Sequence, residues 1–407
     1  MRYLKTAFVA LTLAGCNLDG TLPNQEPPDL MALPDLTPAP DLTPPPDLAP
    51  SACTNLTAMV NHEVVAGRGQ FGPRSPLLAV SGNTIAASWM SEKGCGVVKT
   101  YGSDGKPLTQ TTPECIYGGD YPINITGYGV DQFIVSSMHY DNTGKAIYRL
   151  TIFSQKGKVI AANPVRVDNI VDGEPIGLYF DSKKANQIDL VDIHADATLA
   201  AAGQFVFPGN GFGITLMGAV KFNGQIIAGF NAQNVGQGFP IQLFAFDPLT
   251  KTARKFDTNL GPCQQVPMIG CVGPYQAMRL FPGPTTLTAW VKNTKGKDQS
   301  SVTVYNTTLK PISTTVLPGD IEGIVPVRGG YAATASTFNE APNAGIDLRV
   351  YDAYGKTLNT ERLEKDTITG NVQMVATPDG HVALMYSPFN PVANIDLPHR
   401  LMFLACQ

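Results

Sequence analysis

An eight-residue pattern recurs along this chain and constrains its fold more than any other feature. It consists of an aromatic residue, three turn-forming residues, glycine, lysine, any residue and an aliphatic residue. The full copies are YGSDGKPL from Tyr101, FSQKGKVI from Phe153 and YDAYGKTL from Tyr351. The copies FDPLTKTA from Phe246 and YNTTLKPI from Tyr305 lack the glycine, and a degraded copy lies near Ile193. Each copy predicts a strand that enters a tight hairpin and leaves as another strand.

A second predicted hairpin lies upstream of each copy. These hairpins begin at Leu77, Gly127, Leu178, Ala219, Phe281, Val325 and Met374. The chain therefore contains seven units of two hairpins, about 40 to 60 residues apart, which is the period of propeller blades. No long stretch has the helical period, so we predict an all-β protein, a seven-bladed β-propeller. The alternative is a pair of tandem β-sandwiches, which would not require the same four-strand unit seven times.

The last unit lacks a fourth strand, because the chain stops at Gln407 soon after the third. An open blade would leave unpaired backbone groups along a seam of the ring. The spare strand lies before the first unit, at Ala58 to Ala66, and we expect it to pair with the C-terminal strand. Antiparallel pairing of these strands would bring Cys53 next to Cys406.

The cysteines support this closure. Six of the seven cysteines follow Cys16 in the sequence, and the predicted strand positions pair them as three disulfides. The predicted pairs are Cys53 with Cys406, Cys95 with Cys115 and Cys263 with Cys271. Metal binding is the alternative, but the chain has no Cys-x-x-Cys and its five histidines are scattered. We therefore predict neither a metal site nor a cofactor.

The first sixteen residues, MRYLKTAFVALTLAGC, have the layout of an export signal. Arg2 and Lys5 precede an apolar stretch that is too short to span a bilayer. The sequence LAGC that ends at Cys16 resembles the lipobox of bacterial lipoproteins. That resemblance implies that residues 1–15 are a cleaved signal peptide and that Cys16 carries lipid. Asn17 is not the aspartate that retains enterobacterial lipoproteins at the inner membrane, so it implies a location at the outer membrane of the cell envelope.

Residues 16–52 follow as a predicted extended stalk. Pro-Asp-Leu recurs every six residues, from Pro28 to Pro46. Such a sequence favours polyproline II, in which 36 residues would extend on the order of 110 Å. The stalk resembles those of lipoproteins from myxobacteria and their relatives. Residues 53–407 then form the predicted propeller domain.

Loop lengths distinguish the two faces of the predicted ring. Turns inside the hairpins are short, whereas connections on the other face are long; binding residues are usually carried by such loops. Aromatic residues recur where the second strand of a unit reaches this long-loop face: Trp89, Tyr140, Phe230, Trp290, Phe338 and Tyr386. We predict that they bind a ligand, with packing between blades as the alternative.

Two classes of function remain open. We prefer a non-catalytic surface protein that binds a polysaccharide, peptide or protein partner through the long-loop face. The alternative is a hydrolase or lyase acting on polysaccharide, which would need paired carboxylates. Acids in long-loop positions are Glu92, Asp141, Asp298 and Glu340, and no spacing singles out a pair. The chain contains no nucleophile elbow, zinc-protease motif or phosphate-binding loop, so we assign no catalytic residue. A net charge of −4 offers no basic surface for nucleic acid.

Overall fold

We describe the protein from a computed structural model. The structure describes residues 52–64, 76–91, 93–109, 121–180, 187–206, 214–232, 241–250, 252–260, 265–266, 270–271, 278–293, 299–336, 345–367, 372–390 and 395–407. The lipobox, the stalk and Phe338 lie outside these residues, so those predictions remain expectations. Within the described residues, no helix is long and apolar enough to cross a membrane.

Every regular element described is a β-strand. The first strands are β1 Leu56–Val64, β2 Leu77–Ser81, β3 Thr84–Met90, β4 Gly96–Gly102, β5 Tyr121–Tyr128, β6 Gln132–Tyr140, β7 Ala146–Ser154, β8 Val159–Asn163, β9 Asn169–Ile170, β10 Ile176–Phe180, β11 Gln187–Ile193 and β12 Leu199–Val206. Next come β13 Ile214–Phe222, β14 Gln225–Ala232, β15 Ile241–Asp247, β16 Thr252–Leu260, β17 Gln265–Val266, β18 Gly270–Cys271, β19 Met278–Pro282, β20 Leu287–Asn293, β21 Gln299–Tyr305 and β22 Pro311–Pro318. The last are β23 Asp320–Val327, β24 Gly330–Ser336, β25 Gly345–Asp352, β26 Thr357–Lys365, β27 Val372–Ala376, β28 Val382–Tyr386, β29 Phe389–Asn390, β30 Ile395–Asp396 and β31 His399–Cys406.

These strands form seven antiparallel blades, which confirms the predicted seven-bladed propeller. Blades 1 to 6 consist of β2–β4, β5–β8, β9–β12, β13–β16, β19–β22 and β23–β26, and blade 7 consists of β27, β28, β31 and β1. Blade 1 has three described strands, with Pro107 bridging to Tyr101 where a fourth would begin. The short pairs β17–β18 and β29–β30 lie in connections on the long-loop face.

The core is divided into seven apolar clusters within the described residues. Each cluster lies between two neighbouring blades, and one of them joins blade 7 to blade 1. The aromatic residue of the repeated unit is buried in every copy, as are Phe403 in blade 7 and Ile193 in blade 3. The aromatic residue of the repeat therefore packs at the contact between one blade and the next. Aromatic residues suit this position because large rings bury the most apolar area per residue.

The hairpin turn of the repeat keeps a residue at positive φ in two of the copies that have lost the glycine, those in blades 3 and 5. Gly105, Gly157 and Gly355 have φ values of 81°, 73° and 83°, and Ala197 and Leu309 occupy the equivalent position at 63° and 62°. Positive φ is unfavourable for a residue with a Cβ. Leu309 is buried in the cluster between blades 4 and 5, so apolar burial offsets that cost.

The ring closes as predicted. Strand β1 pairs antiparallel with β31, in a register that runs from Leu56 opposite Cys406 to Val64 opposite His399. Cys53 and Cys406 form a disulfide with a Cα separation of 5.5 Å. Cys95 is also disulfide-bonded, but its predicted partner Cys115 lies outside the described residues. The side chains of the predicted pair Cys263 and Cys271 also lie outside the description.

Blade 3 differs in detail from the sequence prediction. The segment that begins at Leu178 was expected to be the first hairpin of the unit, but β10 and β11 are the second and third strands. The innermost strand is β9, only two residues long. A two-residue strand leaves no alternating pattern to detect, which is why the strand assignment shifted by one.

Candidate functional site: the charged rim of the long-loop face

The predicted ligand-binding aromatics fall into two groups by exposure. Trp89, Phe230, Trp290 and Tyr386 are between 0% and 5% exposed, and each belongs to a cluster between two blades. Their burial favours the packing alternative, because a covered ring cannot serve as a surface platform. Tyr140 is 42% exposed at the end of β6, so for this residue the ligand-binding prediction stands.

The side chains that do collect at the long-loop face are charged. Lys292 lies near the end of β20, where that strand reaches the face, and Asp320 begins β23 in the next blade. The Lys292 Nζ atom is 2.8 Å from Asp320 Oδ1 and 2.8 Å from Glu322 Oε1. Both carboxylates therefore meet a single ammonium group, at a point where the pairing register of β23 with β24 shifts. We call Lys292, Asp320 and Glu322 the blade 5–6 network.

Burial shifts the pKa values in this network. The Glu322 side chain is 14% exposed, and its burial raises its pKa, with a further rise from the neighbouring Asp320 charge; Lys292 acts in the opposite direction. Burial alone would lower the Lys292 pKa, but attraction by Glu322 and Asp320 outweighs it, so the pKa is raised. With all three groups ionised the network carries one net negative charge.

A second network lies on the same face between blades 6 and 7. Arg400 Nε is 3.2 Å from Glu364 Oε1, and Arg400 Nη1 is 3.1 Å from Glu63 Oε2. The Tyr386 hydroxyl donates to the same Glu364 oxygen at 3.2 Å. Burial, followed by the negative charge of Glu364, raises the pKa of Tyr386 well above its usual range. We call these four residues the blade 6–7 network, and it too carries one net negative charge.

Of the loop acids considered from the sequence, only Asp141 lies among the described residues. Its carboxylate accepts hydrogen bonds from the Thr143 hydroxyl at 2.6 Å and from the backbone N–H groups of Thr143 and Lys145. These bonds lower its pKa, the Thr143 side chain contributing most. Asp141 therefore stabilises its own turn through Oδ1, which accepts all three hydrogen bonds.

The opposite, short-turn face carries a serine, an aspartate and a histidine in contact. The Ser103 hydroxyl donates directly to Asp379 Oδ2 at 2.6 Å, and His381 Nδ1 is 3.1 Å from Asp379 Oδ1. In a hydrolytic triad the histidine lies between the other two residues, so that it can take the serine proton. Here the aspartate lies between them. The arrangement ties blade 1 to blade 7 and offers no activated nucleophile.

The two networks were not found from the sequence, although part of the signal was present. The segment DIEGIVPV places Asp320 and Glu322 two residues apart at the start of a strand. Lys292, however, comes from another blade, and its contact with them depends on how the blades are arranged. Within the described residues, no group of three or more histidine, cysteine or acidic side chains is placed to hold a metal ion.

Comparisons with known proteins establish no family. No protein-family model matches the chain, and no curated protein matches it. Similar solved structures include BamB from Moraxella catarrhalis, with 10% identity, a TM-score of 0.42 and coverage of 86% of this chain and 100% of that one. A protein of unknown function from Dyadobacter fermentans has 12% identity, a TM-score of 0.46 and coverage of 86% and 99%. A putative 6-phosphogluconolactonase from Bacteroides fragilis has 12% identity, a TM-score of 0.43 and coverage of 83% and 93%. We take no partner or activity from similarities this distant.

Proposed function

We propose that this protein is a bacterial envelope lipoprotein, anchored to the outer membrane through Cys16, whose propeller is a non-catalytic binding module. Residues 16–52 serve as the stalk, and the long-loop face contacts a protein partner. The observation that carries the binding role is the charged rim formed by the two networks on that face. Each network leaves one carboxylate charge unbalanced, so we expect the partner to present lysine or arginine side chains.

The point where the chain enters the propeller supports the choice of face. The Cys53 N–H donates to Arg328 O in a short turn of blade 6, and the Thr54 N–H donates to Gln407 O. The chain therefore enters on the short-turn face. Residues 52–54 therefore leave the long-loop face, at the other end of the strands, uncovered.

The networks also bear on the catalytic alternative. Asp320 and Glu322 are paired carboxylates, and the raised pKa of Glu322 is a property that a general acid needs. Lys292 contacts both and opposes this rise in the Glu322 pKa, but it does not cancel the effect of burial. A polysaccharide-acting hydrolase or lyase therefore remains the second candidate.

Site-specific photocrosslinking in intact cells tests the binding face. A photoreactive phenylalanine analogue replaces Tyr140 on the long-loop face and, as a matched control, Tyr354 on the short-turn face, which is 89% exposed. We expect a discrete protein adduct from position 140 and none from 354. The double variant Asp320→Asn, Glu322→Gln should give less of that adduct. The adduct yield of this variant should also fall less steeply with salt concentration than that of the wild type. Equal adducts at both positions would contradict the assignment.

Membrane anchoring is tested separately. Cys16→Ala should move the protein from the membrane fraction to the soluble fraction, provided that the signal is still cleaved, because lipid on this residue is the proposed anchor. A chain with that substitution that remains on membranes after cleavage would refute the anchor while leaving the binding face unaffected.

A further inference from the structure

Arg279 occupies an unusual position in the ring. It lies on β19, the innermost strand of blade 5, yet its guanidinium donates to Met374 O at 3.3 Å and to the Gln373 side chain. Both acceptors are on β27, the innermost strand of blade 7. Blade 6 separates these two blades, so the side chain must pass along the inner edge of blade 6. Arg279 therefore lies in the central channel, where it keeps partial exposure to solvent.

The charge of this guanidinium has no direct counterion in the described part of the chain. Its acceptors there are a carbonyl and an amide, both neutral. The other arginines whose pKa values are shifted, such as Arg349 and Arg400, contact a carboxylate. Burial lowers the pKa of Arg279, and the attraction exerted by Asp172 does not cancel this effect. A partly buried cation without a paired anion is costly for a folded protein.

The guanidinium has unused donors. It carries five N–H groups, and the described contacts occupy two of them. A carboxylate or phosphate accepts two parallel N–H bonds from arginine, and such charge-assisted bonds are stronger than neutral ones.

We propose that the central channel binds an oxyanion, a carboxylate or phosphate group, at Arg279. Gln373 and Met374 hold the guanidinium across the channel, and the remaining N–H groups bind the anion. Asp172 is the opposing group: it is exposed, and its carboxylate accepts a hydrogen bond from Thr126 at 3.0 Å. Its negative charge acts on Arg279 and competes with a bound anion. This site is independent of the binding face proposed above.

The test is calorimetric titration of the full chain in detergent with sodium phosphate and sodium acetate, at constant ionic strength maintained with sodium chloride. We expect saturable binding of one anion per chain, and the tighter of the two probes identifies the class. Arg279→Met should weaken binding at least tenfold, and Arg279→Lys should retain part of it because a lysine cannot bind in a bidentate manner. Arg166→Met is the matched control, since it removes the same charge from an arginine paired with Asp168.

A second substitution is expected to strengthen anion binding, a result that a folding defect would not produce. Asp172→Asn removes the competing charge but keeps an oxygen that accepts the Thr126 hydrogen bond, so it should tighten anion binding. No binding to the wild-type chain, equal binding to the Arg279→Met and Arg166→Met variants, or weaker binding to the Asp172→Asn variant would each overturn the proposal.

Discussion

Removal of the disulfide between Cys53 and Cys406 should weaken the propeller at one specific seam. The bond joins residues 353 apart, and the loop-entropy relation gives it an upper limit of about 6 kcal/mol of unfolding free energy. Native disulfides typically contribute 2–5 kcal/mol, so we expect the Cys53→Ala, Cys406→Ala variant to lose about that amount. A double substitution is preferable to a reductant, because Cys95 is also disulfide-bonded.

The two tryptophans allow the seam to be observed separately from the rest of the ring. Trp89 belongs to the cluster that joins blade 7 to blade 1, whereas Trp290 lies between blades 5 and 6. Trp290→Phe and Trp89→Phe therefore give two single-tryptophan proteins, one reporting on the closure and one on a distant blade contact.

Denaturant unfolding followed by fluorescence then tests the closure. With the disulfide intact, both probes should change together. Without it, the Trp89 signal should change at lower denaturant than the Trp290 signal, because β1 can separate from β31 while blades 2 to 6 keep all their strands. Coincident transitions in the disulfide-free protein, or an unchanged unfolding free energy, would refute the view that this strand pair is the weak point of the ring.

Three further predictions follow from the stalk, the core and the short-turn face. Deletion of residues 18–50 should leave the melting temperature of the propeller nearly unchanged by calorimetry, because the sequence there has no apolar face that could bury against the domain; a large decrease would show that the segment packs on it. Trp290→Ala should cost about 3–5 kcal/mol in denaturant unfolding, since the ring is 1% exposed, and the Tyr140→Ala variant, which loses an exposed ring, should lose far less. Burial alone would raise the Asp379 pKa, but hydrogen bonds from Ser103, Thr377 and His381 lower it to about 2 from 3.8, so the stabilisation is present above pH 4 and lost as the pH falls towards 2. Asp379→Asn should therefore lose about 2 kcal/mol at neutral pH, a difference that disappears in acid-unfolding curves near pH 2.

The architecture could be predicted from the sequence because each blade repeats the same local requirements. In most blades an aromatic residue fills the gap to the next blade, and the hairpin turn places one residue at positive φ. Both features appear in the sequence as an aromatic residue followed at a fixed spacing by a glycine, as in the units at Tyr101 and Tyr351. The closure followed from strand counting, since a blade with three strands needs a fourth from the other end of the chain.

The burial of the aromatics could not be predicted from the same pattern. A strand in a soluble sheet with one covered face alternates between buried and exposed side chains, but a propeller blade is covered on both faces by its neighbours. Strand β3 is buried at all seven positions and β28 at all five. Position along such a strand therefore says little about exposure, and Trp89 and Tyr386 are covered although both lie close to the long-loop face.

The same geometry explains why charged side chains, rather than aromatic ones, mark the face. An apolar ring at the end of a strand gains free energy by turning towards the neighbouring blade, so it withdraws from the rim. A carboxylate loses hydration if it does the same, and it stays at the rim unless a cation accompanies it. Asp320, Glu322 and Glu364 are partly buried because Lys292 and Arg400 reach them from adjacent blades. Each network therefore exists only where neighbouring blades are packed together, and a partner that recognises both would bind the assembled propeller in preference to its separate hairpins.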